Sequence, residues 1–173
     1  ITGCIFYNNG WQGPDRGHGH ALYIKSNVGP VVARDNVMFN QFGWGVHAYA
    51  DAGSGRLNGI VVEENAVMNS GALASTPSGQ NILLGGETTS DGSRIVRNLT
   101  WLPSTASRAN AQLGYGSTMN GSVLAEGNRF IGGDPVLRVG RWSAPTVRSN
   151  LLVGEGKLAL LDDPSVLGID LGG

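Results

Sequence analysis

The chain has 173 residues, of which 40% are hydrophobic and 14% charged, and its formal net charge is −1. That length suits one domain; the near-neutral balance predicts no broad basic footprint for nucleic acid, and no apolar run approaches the roughly 18 residues of a membrane-spanning helix. Glycine supplies 28 residues without a three-residue period, which excludes collagen and predicts many turns between short strands.

The chain opens at Ile1 inside an apolar segment, with no signal peptide visible, as a processed or truncated chain would. Cys4 is the single cysteine, so no internal disulfide forms; its expected role is that of a small buried hydrophobe. The stretch from Gly10 to Gly17 reads as a loop, carrying Trp11, Asp15 and Arg16 and leading to His18. A strand over Ala21–Ile24 follows, with Leu22 and Ile24 inward and Tyr23 outward.

Asn36 then marks a bend. Ala33 stands three residues before it, Met38 two after and Asn40 four after. The apolar positions recur around Asn65, Asn98, Asn128 and Asn150, with Cys4 in the first slot, at intervals of 22 to 33 residues, and the Asn four after the anchor recurs in the first three copies as Asn8, Asn40 and Asn69. Between the anchors lie further strands at Gly45–Ala48, Asn81–Leu84, Gln112–Tyr115, Val136–Val139 and Leu158–Leu161. A second loop runs from Gly71 to Ser78. Alternation places His47, Leu83, Gly114 and Arg138 outward in line with Tyr23, and His20, Trp44 and Gln80 ahead of the strands. Met68 and Trp101 sit at strand positions and read as packing. Arg138, Arg141, Trp142 and Arg148 read as a small surface patch. Asn98-Leu99-Thr100 and Asn120-Gly121-Ser122 match glycosylation acceptors, but Asn98 belongs to an internal column. The segment from Asp162 to Gly168 reads as a turn closing the last strand.

No helix-period stripe of adequate length survives the Gly and Asn interruptions. Repeats of this period indicate a solenoid or a propeller, and propeller blades need roughly 40–45 residues. Parallel strands about 4.8 Å apart fit better, because like residues then fall into columns. A buried Asn column can satisfy bend backbone along the stack.

The segment Asn36-Val37-Met38-Phe39-Asn40-Gln41-Phe42-Gly43-Trp44-Gly45-Val46, with Cys4-Ile5-Phe6-Tyr7-Asn8-Asn9-Gly10 as a partial copy, resembles the parallel β-helix repeats of the right-handed, pectate-lyase-like superfamily. The resemblance covers about residues 1–160 and implies an all-β, single-domain right-handed parallel β-helix over residues 1–173, of about six turns. The superfamily includes polysaccharide lyases, glycoside hydrolases, esterases, phage tail spikes and adhesins. It implies a secreted or cell-envelope protein acting on polysaccharide. Such proteins usually carry more turns and an N-terminal capping element, whereas here the first strand is expected from residue 1. Either a second copy or another chain covers that end, or upstream turns have been removed; an open edge invites pairing.

The first two repeats gather His20, Tyr23, Lys25, Trp44, His47, Tyr49 and Asp51 on one outer face, and all three histidines lie there. A lyase of a uronate-containing glycan needs a base, an acid and a cation for the carboxylate. His47 or Lys25 suits the base, Tyr23 or Tyr49 the acid, and Arg16 the cation, with Trp11, His18, His20, Trp44, Asp51 and Glu87 as substrate contacts. Hydrolysis by Asp51 and Glu87, with Asp15 as a further candidate carboxylate, is a second reading. Non-catalytic glycan binding through the aromatic rings, as in an adhesin or spike, is a third. No cofactor is expected; His18 with His20 is a weak metal clip, and Asn27, Asp51 and Glu87 are weak Ca²⁺ candidates.

Overall fold

The structure, a computed structural model, describes residues 1–162. Its strands in chain order are β1 (Ile5–Tyr7), β2 (Trp11–Gln12), β3 (Gly17–His18), β4 (His20–Ile24), β5 (Val31–Arg34), β6 (Val37–Phe39), β7 (Trp44–Ala48), β8 (Ile60–Glu63), β9 (Ala66–Met68) and β10 (Ile82–Leu84). They continue as β11 (Ser93–Val96), β12 (Leu99–Trp101), β13 (Ala111–Leu113), β14 (Asn120–Glu126), β15 (Arg129–Ile131), β16 (Leu137–Val139), β17 (Trp142–Arg148), β18 (Leu151–Val153) and β19 (Ala159–Leu161). The described residues contain no helix.

The strands form three parallel sheets. The first is ordered β1-β6-β9-β12-β15-β18, the second β4-β7-β10-β13-β16-β19 and the third β5-β8-β11-β14-β17. The chain visits first, second and third sheet in turn and then repeats, so neighbouring strands of a sheet come from successive repeats. This is an all-β stack of parallel sheets, consistent with the solenoid expectation. Among the described residues only β2 and β3 pair antiparallel, as a small hairpin between β1 and β4.

Inward columns make one core. Met38, Val67 and Phe130 of the first sheet meet Val46, Ile82 and Leu137 of the second and Ala33, Val62 and Ile95 of the third. The Asn column lies at the bend from third to first sheet. Asn36, Asn65 and Asn98 each donate backbone N–H and side-chain amide to the next Asn Oδ1, at 2.9–3.0 Å. Asn128 does the same to Asn150, at 2.9 and 2.8 Å. The residue before each Asn turns left-handed, as at Asp35, Glu64 and Arg97 with φ of 54°, 58° and 53°. A second left-handed bend falls on Asn8, Asn40 and Asn69, residues whose short amide tolerates that region.

Several expectations are corrected. Cys4 is exposed rather than buried, because it heads the column at its open end; its N–H donates to Asn36 Oδ1 at 3.0 Å. Ala111, Gln112 and Leu113 lie beside Ile82, Leu83 and Leu84. Gln112, not Gly114, therefore continues the outward column. Leu83 faces that side too, yet is only 2% exposed, and Trp142 is buried rather than part of a surface patch. Trp101 is 41% exposed rather than packed. Asn98 and Asn120 are both buried, out of reach of a glycosylating enzyme. The closing turn lies, after Asp162, outside the described residues.

Candidate functional site

The second sheet carries the face. His20 pairs with Trp44 and Tyr23 with His47, and Leu83, Gln112 and Arg138 continue the column. Trp44 and His47 both face outward although they are three residues apart. Gly45 and Val46 between them are both buried. A Cβ on Gly45 would lie 2.3 Å from Val67 Cγ1 and 2.5 Å from the Asn81 carbonyl, so only glycine allows this phase shift.

The result is a continuous aromatic stack. His47 lies flat on Trp44, 4.6 Å between centroids and 8° between planes, and stacks on Tyr49 at 5.2 Å. His20 packs against His47 at 4.7 Å, Tyr23 at 5.3 Å and Trp44 at 5.3 Å.

The β2–β3 hairpin hangs a cation over this stack. Gly13 N–H donates to the Arg16 carbonyl at 2.8 Å, closing a turn in which Pro14 presets its φ. Arg16 then lies over the Trp44 ring, 5.2 Å from the centroid. Its Nε is buried without a hydrogen bond, although Asp15 Oδ2 stands 3.3 Å away; that pairing is a charge contact with poor donor geometry. Trp11 stacks on His18 at 5.0 Å. His18 Nε2 bonds Asp15 Oδ1 at 2.8 Å, which holds the Asp15 carboxyl below its ordinary value.

Arg16, Trp44, His47, Tyr49 and Asp51 line a cleft of about 320 Å³, with Leu83 as its floor and Tyr115 as its far wall. Tyr115 meets Tyr49 edge-on at 5.8 Å. Alongside, the Trp44 indole N–H donates to Gln80 Oε1 at 2.7 Å. Gln80 Nε2 donates to Gln112 Oε1 at 3.0 Å, and Gln112 Nε2 to the Gly114 carbonyl at 3.0 Å. This polar chain fixes the indole orientation beneath Arg16.

Burial pushes His47 down to about 3, helped by His20 and Arg16. Burial first, then Arg16 and His18, bring His20 down to about 4. Both imidazoles are therefore neutral at neutral pH, and the Nδ1 of each is buried without a partner. Tyr49 is pushed up to about 12 by burial and then by the Asp51 carboxylate, and keeps its phenolic proton.

Not every candidate joins the cleft. Lys25 turns its ammonium to Ser54, donating to Oγ at 3.0 Å and to the carbonyl at 3.2 Å, with the Tyr23 ring 5.4 Å below. Tyr23 stays on the rim, 45% exposed. Glu87 accepts the Ala52 N–H at 3.4 Å and does not line the cleft with Asp51. Trp11 and His18 stack on one another and do not line the cleft. The His18–His20 clip is broken up because Gly19, with φ of 115°, turns the chain between them. No three His, Cys, Asp or Glu side chains converge to hold a metal among the described residues.

Sequence reasoning missed Tyr115 and Gln112. The signal was Gly114-Tyr115-Gly116, which lies beside Gly85-Gly86: Gly85 could not carry a Cβ, which would stand 2.6 Å from the Tyr115 N. No protein-family model, curated protein or solved structure matches the chain.

Proposed function

We infer that the three sheets wind as a right-handed parallel β-helix and that the second-sheet cleft binds and cleaves a uronate-containing polysaccharide by elimination. The hand follows from the rule that parallel crossover connections are right-handed in about 98% of cases. The observation that carries the chemistry is the convergence of one cation, one unprotonated imidazole and one protonated phenol: Arg16, His47 and Tyr49 line the same cleft. Arg16 neutralises the uronate carboxylate, which acidifies the proton on the adjacent carbon. His47 takes that proton, the glycosidic C–O bond at the neighbouring carbon breaks, and Tyr49 protonates the departing oxygen before solvent restores its proton. Trp44 and Tyr115 stack on sugar faces. A polymer substrate places the protein outside the cytoplasm, secreted or on the cell envelope.

The test is direct. Incubated with alginate, pectate and glycosaminoglycans, the protein is expected to release an unsaturated, ultraviolet-absorbing product from one of them. Replacing His47 with Ala should cut that rate by about 10²–10⁴-fold. No product from any polymer overturns the elimination.

A second reading, glycan binding without turnover, is favoured by one observation: a His47 value of about 3 makes a weak base before substrate arrives. An incoming carboxylate raises it, and saturable binding without product would select this reading.

A further inference from the structure

The outer face of the first sheet carries two columns of side chains across its strands. One is Tyr7, Phe39, Met68, Trp101, Ile131 and Val153; the other is Ile5, Val37, Ala66, Leu99, Arg129 and Leu151. Arg129 is the only charge among them. Ile5 is 67% exposed, Tyr7 59%, Leu151 52%, Val153 44%, Trp101 41%, Leu99 40% and Val37 37%. Together these seven make a contiguous patch of several hundred Å², at the upper end of what a monomer exposes and of the order of the ~800 Å² per partner of a standard interface.

The face is also uneven in a self-complementary way. Toward the β18 end, Trp101, Ile131 and Val153 form the floor of an apolar cleft of about 490 Å³, walled by Leu102 and Pro103. At the β1 end, Tyr7 protrudes and stacks on Phe39, 5.6 Å between centroids and 12° between planes. One end of the column is a knob and the other a hole.

We propose that this face is the interface of a homodimer, with a two-fold axis running along the strands so that Tyr7 and Phe39 of each copy fill the Trp101–Val153 cleft of the other. A two-fold axis in that direction reverses strand order and keeps each column facing itself. It lays β1 over β18 and β6 over β15 of the second copy, as a closed isologous contact. Sheets pack face to face with strands within about 30° of alignment, which this axis permits. Charge agrees: both faces are neutral except for Arg129, which lies over Val37 at the margin and reaches solvent along its stem. Ser104, Thr105 and Glu155 rim the cleft and supply the polar border of such a contact. The second-sheet cleft lies on a different sheet and stays open.

Sedimentation equilibrium from about 1 to about 200 µM, a range that brackets micromolar association, is expected to give twice the 18.0 kDa chain mass at the upper end. Trp101→Glu should return it to one chain mass with an unchanged circular dichroism spectrum. Orientation is tested in a Cys4→Ser background with a short bifunctional maleimide. Copies bearing Tyr7→Cys mixed with copies bearing Val153→Cys should cross-link, and Tyr7→Cys copies alone should not. A single chain mass at every concentration overturns the proposal, whether the protein stays free or binds lipid vesicles through this face. A dimer that survives Trp101→Glu, or Tyr7→Cys copies that cross-link among themselves, overturns it equally.

Discussion

The Asn98 side chain reaches five polar groups on four residues, its two amide hydrogens shared among three acceptors. Its amide nitrogen donates to the carbonyls of Val62 and Val96 and to Asn128 Oδ1, and its own Oδ1 accepts the backbone and side-chain N–H of Asn65. Replacing it with Leu leaves several of those groups buried and unpaired, at about 1–3 kcal/mol each before relaxation, so a loss of about 3 kcal/mol is expected by chemical denaturation; a loss below about 0.5 kcal/mol would contradict the ladder's role. The histidines set a pH dependence. Unfolded imidazoles titrate near 6.5, whereas the folded values are about 4 for His20 and about 3 for His47. Between those limits the unfolded chain holds more protons, so stability falls on acidification below about 6.5 and is flat in this respect above it. The melting temperature should drop from pH 6.5 to 5, less steeply in His47→Asn; a flat profile there would show that neither ring is held neutral. The Asn spacing was legible in the sequence because the amide recurs at each bend. The left-handed residue before it was not, because Glu64, Arg97 and Ser149 are types with no preference for that region, although Asp35 is of a type that has one.

At the scale of elements, the hairpin decides the site and one strand shows why its reading failed. Gly17 anchors the β2–β3 hairpin: a Cβ there would lie 2.0 Å from the Phe42 carbonyl oxygen and 2.6 Å from Ala74 Cβ. Ser75 N–H donates to Gln12 Oε1 at 2.8 Å from the opposite side, so the two loops seen in the sequence brace one another. Gly17→Ala should lift the hairpin and Arg16 with it. Binding of uronate oligosaccharides by calorimetry should weaken roughly 10-fold, as loss of a charge contact does, while the melting temperature changes little. Unchanged affinity would remove Arg16 from the site. The hairpin's position was not legible, because contact between two loops leaves no periodic trace. Strand β13 was displaced by two residues for a different reason. A shift of two keeps every side chain on its face, so hydrophobic pattern accepts both registers of Ala-Gln-Leu-Gly-Tyr. Asn110 selects one: it accepts the Asn81 amide at 2.8 Å, which fixes Ala111 beside Ile82 and brings Gln112 outward.

For the whole molecule, the order of the sheets does what no single strand can. Because the chain passes through three sheets before returning, side chains 24 residues apart, such as Tyr23 and His47, become strand neighbours. That much followed from the repeat, including the gathering of His20, Trp44 and His47. The chain's low charge left Arg16 conspicuous, but its place above Trp44 depended on the hairpin. The apolar outer face of the first sheet was hidden because Leu99, Trp101 and Leu151 look the same in sequence whether they pack inward or outward. If the second-sheet cleft takes a carboxylated sugar, Arg16 is the group that holds the carboxylate. A crystal structure of the His47→Ala protein with a uronate oligosaccharide tests it most directly. The prediction is a sugar carboxylate on the Arg16 guanidinium, with a ring against Trp44 or Tyr115 and a glycosidic oxygen near the Tyr49 hydroxyl. Sugar density elsewhere on the surface, or an empty cleft at saturating oligosaccharide, would contradict it.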